Sequence, residues 1–194
     1  MGIDTRSDNL LNKFKKTASE PLNWLYSAHV LKRGADALYV EIHKGWQTFL
    51  RYKYGEPKPP PEMFEQLQLN PTYMLLAGYA LENLLKGLYV AKNPSIVKNG
   101  RLIKWPGSGH GIMKLIVLAN ERLDDAEKIE LSKDEKVLLD KLEVSIVWAG
   151  RYPIPKNVED LMPLHFKVSE KNQFNELFDR LAELLKKTRK GGQN

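Results

Sequence analysis

NPTYMLLAGYALENLLKGLYVA, residues 70–91, decides the architecture. Asn70 is a residue type that caps helix N-termini. Pro71, at the first helical position, has a φ suited to a helix start and sacrifices no hydrogen bond there. The run that follows is apolar on almost every face of a 3.6-residue repeat and is interrupted by Glu82, Asn83 and Lys86. A helix coated all round with apolar side chains is one enclosed by other helices. The spacing predicts a central helix from Asn70 to about Asn93–Pro94, and the rest of the chain must supply its walls.

Upstream, a long helix is expected from Ser19, with Pro21 in its first turn. Leu25, Val30, Leu31, Ala35, Leu38, Ile42, Trp46, Phe49 and Leu50 form its apolar stripe. Gly34 is expected to bend or split it, and it ends near Gly55. The run Pro57 to Pro61 reads as a stiff extended spacer.

Downstream, a glycine-rich loop from Pro94 to Gly111 precedes a helix of roughly His110 to Leu123. A further helix opens at the capping box Ser132–Glu135, carries Leu138, Leu139, Leu142, Ile146 and Val147, and stops near Gly150 because Pro153 and Pro155 cannot continue it. The last, about Ser169 to Lys187, shows Phe174, Leu177, Phe178, Leu181, Leu184 and Leu185. No run alternates with period two. The expected fold class is all-α, a bundle of about five helices. A polar N-terminal arm (1–18) precedes a single helical domain (19–187), and a basic disordered tail (188–194) follows it.

Composition narrows the function classes. With 194 residues, of which 42% are apolar, the chain can bury one core. The absence of cysteine excludes disulfide frameworks, iron–sulfur clusters and cysteine nucleophiles. His29 and His43 have no companion at ligand spacing, so neither a metal nor a cofactor is expected. The longest helical stretch free of charge, Asn70 to Leu81, falls far short of the ~20 apolar residues a membrane span needs. The N-terminus is too polar for a signal peptide. The expected setting is cytoplasmic, with no membrane partner.

Thirty Lys and Arg stand against 24 Asp and Glu, a formal net charge of +6. Lys186, Lys187, Arg189 and Lys190 contribute four of those charges, and the run reads as a solvated, frayed helix end. Asn83 to Asn120 holds no acid, and its basic residues include Lys86 and Lys104. Asp124 to Glu143 holds eight acids. Such polarity orients an anionic partner, phosphate or nucleic acid foremost.

Four features can carry chemistry. Glu82 and Lys86, one turn apart with the acid first, form a favourable helical ion pair on an otherwise apolar helix, facing a partner inside the bundle or a cleft. His110 stands at a helix entry after Pro106-Gly-Ser-Gly and can cap, move a proton or hold a phosphate. Arg151, in Trp148-Ala-Gly-Arg-Tyr-Pro-Ile-Pro155, is suited to bidentate phosphate binding or to docking on Glu82. Tyr152 can stack on a base or hydrogen-bond the backbone.

In order and helical context, Ala80-Leu-Glu-Asn-Leu-Leu-Lys86, Gly109-His110 and the Trp148–Pro155 string resemble the HEPN-domain family. The resemblance implies an all-α fold, RNA or a nucleotide as ligand, a homodimer, and an antitoxin-like protein partner in a toxin or phage-defence setting. Many members are metal-independent ribonucleases whose site uses an Arg followed four to six residues later by His. Here Arg151 is followed by Lys156 and Asn157 where that His would stand. The resemblance therefore implies His110 as its spatial substitute, with His110 and Arg151 catalytic. Glu82, Lys86, Tyr152 and Lys104 would then contact the substrate. Three readings follow: a binder of RNA or a nucleotide, an endoribonuclease, and a structural or partner-binding bundle.

Overall fold

The computed structural model describes residues 5–55, 58, 60–98, 101–102, 111–151 and 167–191. Helix α4, Asn70–Lys92, occupies the centre, and fifteen of its 23 residues are buried. Its largest neighbour is α2, Pro21–Lys53, and α7, Val168–Gly191, lies against another side. Helices α5, Ile112–Asn120, and α6, Lys133–Val144, complete the enclosure. The all-round apolar pattern read at 70–91 is therefore the pattern of an encircled helix. One core runs through all five, from Ala28 and Ile42 of α2 through Leu81 and Leu84 to Leu142, Phe174 and Phe178.

Two helices among the described residues were not read from the sequence. Helix α1, Thr5–Ser19, forms where a polar arm was expected. Helix α3, Pro61–Leu67, begins where the proline run ends. Pro60 is extended, with ψ 148°, and Pro61 opens the helix, so the last prolines start a helix instead of merely spacing two.

That short helix also corrects the role of Asn70. Leu69, with helical backbone angles, occupies the capping position. The Asn70 side-chain amide donates to the Leu67 carbonyl at 2.8 Å, satisfying the end of α3.

Helix α2 is continuous through Gly34. Ser132 and Glu135 form the expected capping box of α6. Beyond Val144 the chain widens into a π-helical turn, Ser145–Ala149, which no local pattern announced. Helix α7 extends through Gly191, so residues 188–191 of the expected disordered tail are helical, with the Thr188 side chain donating to the Leu184 carbonyl. Within the expected Pro94–Gly111 loop, strands β1, Val97–Lys98, and β2, Arg101–Leu102, pair antiparallel. This minimal hairpin does not alter the all-α class.

Candidate functional site

Gly78, Glu82 and Lys86 follow one another at intervals of four, so they share one face of α4. At its head the helix of residues 145–149 comes close, and a Cβ on Gly78 would lie 2.8 Å from Ile146. Further along, the Lys86 Nζ donates to the Glu82 Oε1 at 2.5 Å. Glu82 is 3% exposed and Lys86 9%. The sequence spacing had predicted the ion pair, and burial gives it weight. Neither charge is well solvated, so each depends on the other.

Arg151 is exposed, and its Nη2 donates to the Val147 carbonyl at 2.5 Å. Gly150 presses its backbone against the start of α4, where a Cβ would meet Leu75 at 2.5 Å and the Pro71 carbonyl at 3.0 Å. Leu75 precedes Glu82 by seven residues, about 10 Å of helix. The structure brings Glu82 and Lys86 together and sets the Arg151 backbone about two turns away. Lys104, His110 and Tyr152, the other expected site residues, lie outside the described residues.

A different arrangement emerges from elements distant in sequence. The Arg189 guanidinium stands 3.0 Å from the Glu20 carboxylate, docking the end of α7 on the α1–α2 junction. Helix α1 packs beside β1. The junction is fixed from below, because Asn23 and Trp24 donate side-chain hydrogen bonds to the carbonyls of Thr17 and Ala18. The ion pair thus brings Lys13, Lys15 and Lys16 of the last turns of α1 to the same end of the molecule as Lys186, Lys187 and Arg189 of α7.

Acids share this end: Glu20 pairs with Arg189, and Asp125, Glu127 and Glu130 line one hollow with Glu183 and Lys187. Lys13, Lys15, Lys16, Lys186 and Lys187 are exposed, as are Leu10 and Phe14 among them.

The chain matches no protein-family model, no curated protein and no solved structure. Its chemistry must therefore be read from its own side chains. Among the described residues no group of three or more His, Asp and Glu is placed to hold a metal ion. None of their helices is long and apolar enough to cross a membrane.

A second ionic cluster escaped the sequence reading. Asp36 of α2 accepts hydrogen bonds from Lys32, at 2.8 Å, and from Lys171 of α7. Lys171 is buried among the rings of Tyr39, Tyr73 and Phe174, 5.4–5.7 Å from their centroids, and also donates to Asn175. Burial alone would raise the Asp36 pKa, but the hydrogen bonds and charges of the two lysines outweigh it and hold the carboxyl below its ordinary value. Burial, followed by the nearby Asp36 charge, pushes the Tyr73 phenol well above its ordinary value. Lys32 and Asp36 are a recognisable helical pair. Lys171 lies 135 residues away, beyond any local signal.

Proposed function

We propose that this protein is an RNA-binding, HEPN-like helical bundle, and that it grips phosphates at the end where α1, the hairpin and α7 meet. The observation that carries the reading is the set of exposed lysines, Lys13, Lys15 and Lys16 of α1 and Lys186 and Lys187 of α7, which the Arg189–Glu20 ion pair brings to one end. Neutralising phosphates releases condensed counterions, which drives sequence-independent binding. Helix α1 alone is about 22 Å long, at 1.5 Å per residue. Cations shared between two helices suit an extended polyanion better than a single nucleotide. The exposed Phe14 ring among the lysines offers a base a stacking face.

The test is fluorescence anisotropy with a labelled single-stranded RNA at 50 and 200 mM salt. Affinity is expected to fall by at least about tenfold across that range. The triple variant Lys13→Glu, Lys16→Glu, Lys187→Glu should bind at least about tenfold more weakly at the lower salt, with a shallower salt slope. Equal affinity of variant and wild type would overturn the reading. Incubation with chelator addresses catalysis. Cleavage that disappears in Arg151→Ala adds a metal-independent ribonuclease activity, and intact RNA leaves a binder.

The buried Glu82–Lys86 pair favours a second reading for those two residues alone. They pair within α4, buried in the bundle, and serve its stability and not substrate contact.

A further inference from the structure

Between α7 and the segment 125–130 lies an open hollow of about 540 Å³, a size ordinary for ligand sites. Ile129, Leu181 and Leu184 give it apolar surface, and Lys187 joins it to the lysines of the basic end. Its carboxylates need a reason, since acids beside a phosphate-binding surface oppose its ligand. Of the four among the described residues, three are already held: Asp125 by Lys128 at 2.5 Å, Glu127 by Lys92 at 3.4 Å and Glu183 by Lys186 at 2.7 Å. Glu130 is the fourth, and among the described residues no cation pairs with it.

Beside Glu130 stands a cation fixed in place. The Arg180 guanidinium donates to the Glu130 carbonyl at 3.1 Å and to the Glu135 carboxylate at 2.9 Å. Glu135 is itself locked, because it closes the capping box with Ser132. The guanidinium is half-exposed, and its two hydrogen bonds hold its plane. Lys187 follows seven residues further along α7, about 10 Å away. The hollow therefore offers a rigid planar cation, an unpaired carboxylate next to it, apolar surface, and an exposed ammonium at the far end.

A nucleotide in a strand carries matching groups in the same order. Unstacked bases lie well on arginine planes, and phosphate suits a lysine. The carboxylate then chooses among the bases, because it only accepts hydrogen bonds. Guanine alone presents two adjacent donors on its Watson–Crick edge, N1–H and N2–H. Uracil offers one N–H flanked by two carbonyl oxygens, and adenine and cytosine set an acceptor nitrogen beside their amino group. That edge is free only in an unpaired base.

We infer that the hollow is a base-reading pocket, which takes one unpaired guanine of the bound RNA, stacked on Arg180 with N1–H and N2–H donating to Glu130, while Lys187 holds a neighbouring phosphate. The inference rests on the RNA-binding reading and adds a substrate class to it: single-stranded RNA that contains guanine.

Anisotropy at about 50 mM salt compares labelled oligouridylate with the same strand carrying one central guanosine. The guanosine strand is expected to bind about tenfold more tightly. Annealed to their complements, the two strands should bind alike. Glu130→Gln supplies the deciding sign. A carboxylate that merely repelled phosphates would, once neutralised, tighten binding to both strands. A base reader, once neutralised, weakens the guanosine strand about tenfold and leaves oligouridylate no weaker. Arg180→Lys keeps the charge but loses the plane, and should also lower the guanosine preference. Far-UV circular dichroism verifies that each variant is folded. Equal affinity of wild type for the two strands, or a preference that survives Glu130→Gln, would overturn the inference and leave salt-dependent RNA binding standing. Failure of wild type to bind either strand would overturn both.

Discussion

On the middle turns of α4, the Lys86 ammonium has little water around it and the Glu82 carboxylate beside it. Glu82→Gln takes the paired negative charge away from the Lys86 ammonium, and breaking a buried pair at one partner typically costs about 3–5 kcal/mol. Replacing both, Glu82→Leu with Lys86→Met, removes the desolvation penalty along with the attraction and should be close to neutral. Urea denaturation measures both. RNA binding retained by the double variant would confirm that the pair is internal bracing. Asp36 makes a pH prediction of definite sign. Its folded-state pKa lies below its unfolded one, so its stabilisation is complete above the unfolded value, near pH 4, and is lost as pH falls through the folded value. Wild type should therefore lose stability relative to Asp36→Asn below about pH 4, measured as melting temperature against pH. At this scale the sequence was half legible. Glu82 and Lys86 were visible because a four-residue step is local. The Lys171 partnership was not, because it joins α2 to α7.

Helices approach one another closely where side chains are absent. A Cβ on Gly78 would stand 2.8 Å from two carbons of Ile146 and 3.3 Å from the Leu142 carbonyl. Gly78→Ala gains about 1 kcal/mol of helix propensity but overpacks a contact with little room to yield, at a cost of about 1–3 kcal/mol. It should be net destabilising. Gly34→Ala meets only the flexible end of Leu76, at 3.2 Å, and should be the more stable of the two in the same denaturation series. Elements with strong local punctuation were readable: α4 from its periodicity, α6 from Ser132 and Glu135, and the start of α2 from Pro21. Helix α3 was hidden because prolines that break a helix also begin one. The π turn at Ser145–Ala149 was hidden because its widening is tied to how residues 145–150 pack on α4, a tertiary cause with no sequence period.

At the scale of the molecule, charge placement matters more than charge total. The basic run at the end of α7 resembled a frayed end because its anchor, Glu20, lies at the other end of the chain. Only folding brings α1, β1 and α7 together. The docking of Arg189 on Glu20 carries another consequence. Because one ion pair fastens the last helix to the first junction, charge reversal at Glu20 would loosen the two basic helix ends from each other and spread their lysines apart.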